Sequence, residues 1–161
     1  MNPGFQERSA AACELIAEVT NKFGEVTLGV TGASMLPALW PGDLIHVQRC
    51  DVSEVKPGQV VLYRSGAALV AHRIVRTKGN LLVTRGDALQ EEDPAVNEAD
   101  ILGKVVCILR NGRSIDSRPS FLARMCSAIL RQSDFCLRMT LRAGLRARRH
   151  SGKELSWPIQ P

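Results

Sequence analysis

Gly32-Ala33-Ser34-Met35-Leu36-Pro37-Ala38-Leu39-Trp40-Pro41-Gly42-Asp43 sets one small hydroxyl residue inside a turn bounded by glycine and proline. The alternating run that follows, Asp43 to Gln48, reads as a β-strand. A serine in a turn is in most proteins only a turn residue. Placed ahead of a strand in this way, it also has the setting of a nucleophile. A serine hydroxyl is weak in that role near neutral pH, so a base must sit about 2.6–3.2 Å from it.

Three histidines compete to be that base. His46 shares one face of its strand-like run with Leu44, His72 lies in Ala71-His72-Arg73-Ile74-Val75, and His150 sits in a basic tail. An unperturbed imidazole titrates near ~6.5, which suits proton transfer around neutrality. The imidazolium formed in the transition state gains from a carboxylate on its other ring nitrogen. Asp87, in Thr84-Arg85-Gly86-Asp87, and Asp93, six residues further on, both qualify. Asp87 reads equally well as a turn-capping carboxylate. Glu91 and Glu92 read as solvated.

Taken in order, five blocks carry a family resemblance: Ser34-Met35-x-Pro37, Gly42-Asp43, Pro57-Gly58-Gln59-Val60-Val61, His72-Arg73-Ile74-Val75, and Gly86-Asp87 with Asp93. Over roughly residues 26–108 the chain resembles the type I signal peptidases and the related self-cleaving repressor peptidases, the S24/S26 superfamily. Many members of that superfamily pair the serine with lysine; this chain has His72 there and so resembles the Ser-His branch. The resemblance implies Ser34 as nucleophile, His72 as base, and Asp93 or Asp87 as the carboxylate orienting it. Asp93 is preferred, because the polar pair usual after Gly-Asp is replaced by Ala88-Leu89. The Ser34 N–H is the first candidate donor to the oxyanion. The place two residues before the nucleophile, which carries a second hydroxyl donor in some relatives, holds Gly32. Small apolar substrate residues near the scissile bond are a further implication of the family.

With 161 residues and 45% hydrophobic content, the chain has one domain's worth of material and enough to bury a core. Its formal charge of +5 is uneven: residues 118–150 hold eight Arg against one Asp, which leaves the rest mildly acidic. The basic character therefore belongs to an appendage and not to a substrate groove. Aromatic residues are too sparse, at 4%, to build base-stacking platforms, so nucleic acid is not expected as a partner. Cys13, Cys50, Cys107, Cys126 and Cys136 are odd in number and form no C-x-x-C pair. They read as free thiols in a reducing compartment, Cys107 within the core, with neither a metal site nor a disulfide framework.

The N-terminus lacks the cationic and apolar regions of a secretory signal, and no window approaches the ~18–20 apolar residues of a spanning helix. A cytoplasmic protein is expected, and the missing anchor is a departure from ordinary signal peptidases.

Residues 1–24 read as one amphipathic helix, with Ala12, Leu15, Ile16, Val19 and Phe23 at helical spacing and Gly24 to end it. Residues 25–117 change to short β-rich runs: Val26 to Val30, Asp43 to Gln48, Gln59 to Arg64, Ala68 to Arg76, Asn80 to Thr84 and Ile101 to Arg110. Lys78-Gly79-Asn80 marks a tight hairpin. A helical pattern returns over 118–150. There six arginines (Arg124, Arg131, Arg138, Arg142, Arg146 and Arg149) project within about 80° of one another, opposite a Leu/Ile/Met stripe. That stripe either packs on the β domain or, with the arginines, lays the helix on an anionic membrane surface as a peripheral anchor. Residues 151–161 read as a flexible tail.

The expected fold is mainly β (α+β): a small coiled antiparallel β domain of signal-peptidase type, flanked by amphipathic helices. The expected function is cleavage of a leader or precursor peptide by a Ser-His-Asp acyl-enzyme mechanism, without a cofactor. The alternative is a catalytically inactive peptide-binding module of the same fold. A self-cleaving regulator is disfavoured, because the roughly 30 residues before Ser34 leave too little chain for a DNA-binding unit and a cleavage loop.

Overall fold

The computed structural model describes residues 3–115. The basic helical reading over 118–150, the tail over 151–161, Cys126, Cys136 and His150 lie outside the described residues.

The described chain is one α-helix, α1 (Pro3–Phe23), followed by an antiparallel sheet of eight strands whose connections include short 3-10 turns at Val52–Glu54 and Glu98–Asp100. These are β1 (Glu25–Gly29), β2 (Leu44–Gln48), β3 (Val60–Ser65), β4 (Ala68–Lys78), β5 (Leu81–Arg85), β6 (Val96–Asn97), β7 (Ile101–Arg110) and β8 (Arg113–Ile115). Their order across the sheet is β1-β2-β7-β3-β4-β5-β6, with β8 also paired to β7. Each long strand corresponds to one of the β-rich runs, and the two-residue turn Gly79-Asn80 closes the β4–β5 hairpin with Gly79 at φ 58°.

β7 organises the coil of the sheet. One edge pairs with β2; the other takes β3 at residues 101–104 and β8 at 108–110. Bulges break simple alternation here. His46 pairs with Cys107 and Val47 with Val105, so Val106 is the extra residue. Val106 is therefore exposed and Cys107 only half-buried, its thiol 3.2 Å from the Ser114 hydroxyl. That corrects the placing of Cys107 in the core.

Two apolar clusters form, one on each side of β3, as the two-residue period of a strand requires. Val60 and Leu62 join Met35, Leu39, Ile45, Val47, Leu102, Val105 and Ile108 on the first side. Val61 and Tyr63 join Val52, Val55, Ile74, Leu82 and Val96 on the second. Helix α1 covers the first side, touching β1, β4 and β7. It docks through Cys13, Ile16, Ala17 and Thr20, while Leu15 and Phe23 stay exposed. The docking stripe is rotated from the one read in the sequence: small side chains let the helix approach the sheet, and the buried Thr20 hydroxyl donates back to Ile16 C=O at 2.7 Å.

Candidate active site

The loop between β1 and β2 carries Ser34, and a dense set of bonds fixes its path. Val30 N–H donates to Asp43 C=O and Gly42 N–H to Val30 C=O, each at 2.8 Å, closing the loop at its base. Within it the Trp40 indole donates to Pro37 C=O at 2.9 Å. The Asp43 carboxylate, fully buried, accepts Trp40 N–H and the Arg110 guanidinium at 2.8 and 2.7 Å. Arg110 reaches across from β7 to supply the countercharge a buried carboxylate needs. At the tip, Ala88 N–H donates to Ser34 C=O at 2.8 Å, tying the loop to the turn after β5. Gly86 permits that approach, since a Cβ there would stand 2.6 Å from the Ser34 carbonyl oxygen.

β4 brings His72 to the same place. Its Nε2 lies 2.9 Å from Ser34 Oγ and its Nδ1 2.7 Å from Asp93 Oδ2. A neutral ring with its proton on Nδ1 satisfies both contacts: Ser34 O–H donates to Nε2, and Nδ1–H donates to the carboxylate. The ring is buried at 6% exposure, edge-on to Tyr63 with centroids 6.4 Å apart.

Of the two carboxylates only Asp93 contacts His72. Asp87 faces Arg73, which follows His72 on β4 and by strand alternation points to the opposite side. Arg73 Nε and one Nη donate to the two Asp87 oxygens at 2.8 and 2.7 Å, and its other Nη donates to Gly58 C=O at 2.6 Å. Such a fork-on-fork pair holds the Asp87 turn on the side of β4 away from the imidazole. His46 sits apart on β2, between the Thr27 hydroxyl at 3.1 Å and the Glu25 carboxylate at 3.2 Å.

Two polar residues not singled out in the sequence also belong here. Thr84 Oγ1 stands 2.7 Å from Asp93 Oδ2 and 3.2 Å from Tyr63 Oη. Burial, with the nearby Asp93 charge adding to it, pushes the Tyr63 phenol up to about 12, against a partial offset from its bond to Thr84. The available signals are weak: Thr84 stands two residues before Gly86, and Tyr63 is the chain's single tyrosine.

Beside Ser34 and His72 opens an apolar cleft of about 400 Å³. Leu28 to Thr31 form one wall and Leu69 to His72 the other, with Met35, Leu62 and Ile16 of α1 lining it too. Both walls offer strand edges: β1 ends the sheet, and β5 pairs with β4 only from Arg73 onward. Among the described residues no group of three or more His, Cys, Asp or Glu side chains could hold a metal ion. No helix among them is long and apolar enough to cross a membrane.

The coiled antiparallel sheet, with a serine hydroxyl, a histidine and an aspartate in one line beside an open cleft, has the form of a peptidase-like domain. The chain belongs to the Peptidase S24-like family, whose model matches residues 1–106. The match extends from α1 through most of β7 and takes in Ser34, His72 and Asp93. No curated protein matches the chain.

Proposed function

We propose that the protein is a signal-peptidase-like serine endopeptidase that cleaves a leader or precursor peptide through an acyl-enzyme. The observation that carries this reading is the line of contacts from Asp93 through His72 to Ser34, at 2.7 and 2.9 Å. Ser34 Oγ attacks the scissile carbonyl carbon while His72 Nε2 takes its proton, and Asp93 steadies the imidazolium through Nδ1–H. The Ser34 N–H meets the developing oxyanion. As the carbon–nitrogen bond breaks, the leaving amine takes the proton from Nε2. Water then attacks the ester, giving a proton to Nε2. That proton returns to Ser34 Oγ as the acid leaves, and no cofactor enters.

The substrate lies extended between the Leu28–Thr31 and Leu69–His72 walls, adding main-chain bonds to a strand edge and small apolar side chains to the cleft. A peptide-binding module without turnover is the second reading, motivated by Ala88-Leu89. The structure gives Ala88 a different job, holding Ser34 C=O. A binding module also has no need of a His-Asp pair, its imidazole buried, aimed at a serine hydroxyl. The deciding experiment incubates the protein with a library of extended peptides rich in Ala, Gly, Ser and Val. Products formed by wild type and absent with Ser34→Ala support the peptidase; peptides bound equally by both and never cut support the module.

A further inference from the structure

We infer that Thr84, backed by Tyr63, is a positioning residue for acyl transfer, its hydroxyl fixing the Asp93 carboxylate and through it the His72 ring. The inference rests on the proposed role of Asp93 and extends it to two residues of the second apolar cluster.

Asp93 lies between β5 and β6, in a stretch with no regular structure to fix its side chain. One residue holds it at two points. Asp93 N–H donates to Thr84 C=O at 2.8 Å, and Thr84 Oγ1 donates to Asp93 Oδ2 at 2.7 Å. Oδ2 is also the oxygen that accepts His72 Nδ1–H. Two donors converging on one oxygen fix the carboxylate's torsion, and with it the tilt of the imidazole that must meet Ser34.

Thr84 has a single hydroxyl proton, and it goes to the charged acceptor. The Tyr63 phenol oxygen stands 3.2 Å from the same Thr84 Oγ1 and closes the far side of the hydroxyl. Because burial pushes its ionisation to about 12, Tyr63 stays a neutral phenol at any ordinary pH and brings no second charge to the Asp93 carboxylate.

The placement follows from the strands. Val61 pairs with His72 and Ile74 with Thr84, so Tyr63, His72 and Thr84 stand on one face of three adjacent strands. Their neighbours there are Val61, Ile74, Leu82 and Val96. Thr84 is fully buried and Tyr63 4% exposed. Valine would fill the Thr84 site with almost the same volume, and the hydroxyl, costly to bury without partners, has Asp93 as its charged acceptor.

The test measures pre-steady-state acylation by p-nitrophenyl butyrate in the full chain, together with the downfield proton resonance of His72 Nδ1–H. Thr84→Val should lower the acylation rate about 10- to 100-fold, the range that misplacing a reacting group produces. Thr84→Ser should recover to within about threefold of wild type, because it restores the same donor. Thr84→Val should shift the Nδ1–H resonance, and in an Asp93→Asn background it should add almost nothing, because the two act as one unit. Tyr63→Phe should cost a smaller, about two- to fivefold loss and move the same resonance, because it removes only the outer bond of the network. Should Thr84→Val fail to fold, Thr84→Ala is compared with Thr84→Ser instead.

Wild-type acylation with Thr84→Val unchanged overturns the positioning role and leaves the Ser34-His72-Asp93 reading standing. Equal losses in Thr84→Ser and Thr84→Val overturn it in favour of packing. An unmoved resonance in Tyr63→Phe removes Tyr63 from the chain. No acylation of wild type defeats the parent reading, and this inference falls with it.

Discussion

β3 presents Val60 and Leu62 to one side of the sheet and Val61 and Tyr63 to the other, and the two sides are filled on different terms. The first is lined mainly by apolar side chains, with the one buried hydroxyl of α1, that of Thr20, closed on its own helix; α1 and the Ser34 loop cover it, and the cleft opens there. The second buries Tyr63, Thr84 and His72 among valines, isoleucine and leucine. Burial on the first side is chiefly a matter of shape, its Thr20 hydroxyl being satisfied within the helix. Burial on the second requires each polar group to find its partner in the next, and the line of partners ends at Ser34. Stability thus rests on both sides, while the hydrogen-bonded line that reaches Ser34 runs through the second.

Removing the end of that line should have the largest effect. Ser34→Ala and His72→Ala are each expected to lower peptide cleavage by about 10⁴-fold or more, and the double variant by little beyond either, since the pair works as a unit. Circular dichroism should show all three folded. Equal turnover by Ser34→Ala and wild type would mean that the polar side serves structure only.

The two carboxylates separate catalysis from stability. Asp93→Asn should lower turnover per folded molecule about 10²- to 10³-fold with a modest change in stability. Asp87→Asn should do the reverse. It leaves the largely buried Arg73 guanidinium without its carboxylate and should cost about 3 kcal/mol in urea unfolding, with turnover per folded molecule near wild type. A larger catalytic loss from Asp87→Asn than from Asp93→Asn would reverse the assignment.

On the apolar side, Ile108→Ala opens a cavity away from the cleft and should cost about 2–5 kcal/mol while leaving turnover per folded molecule unchanged. Loss of turnover without loss of stability would contradict the division between the two sides.

The smallest effect is in pH. Folding raises the Tyr63 phenol from 10.0 to about 12, so the folded state holds this proton more tightly than the unfolded chain. The resulting stability is complete below pH 10 and is lost as pH rises through about 12. Melting temperatures across that window should fall for wild type and flatten in Tyr63→Phe. Absorbance near 295 nm should show the single tyrosine ionising near the upper limit, and a midpoint at the ordinary value would contradict its burial in this network.

The long strands were legible because their period and their Gly and Pro boundaries are local properties. β6 and β8, two and three residues long, carry too short a pattern to register. Ser34, His72, Asp93 and Asp87 were legible as residue types in ordered blocks, and Asp93 was the preferred partner of the imidazole, but the geometric reason for it was not legible. That depends on the opposite sides of β4 to which His72 and Arg73 point. Thr84 and Tyr63 looked like ordinary strand residues, because β propensity favours Thr and Tyr whether or not their hydroxyls have work to do. The buried pair of Asp43 with Arg110 joins residues 67 positions apart, a separation no local pattern reports. Leu15 and Phe23 were misassigned to the docking face of α1 for a related reason: apolar size marked the stripe, whereas close approach to the sheet selected Cys13, Ala17 and Thr20.

The central claim is that His72 and Asp93 make Ser34 a nucleophile. It is tested most directly by incubating the protein with p-nitrophenyl butyrate at neutral pH, quenching in acid, and mapping the adduct by mass spectrometry. One butyryl group per chain is expected on the peptide containing Ser34, absent from Ser34→Ala and reduced to background in His72→Ala. Labelling that is absent from wild type, persists in Ser34→Ala or maps to another side chain would contradict the claim.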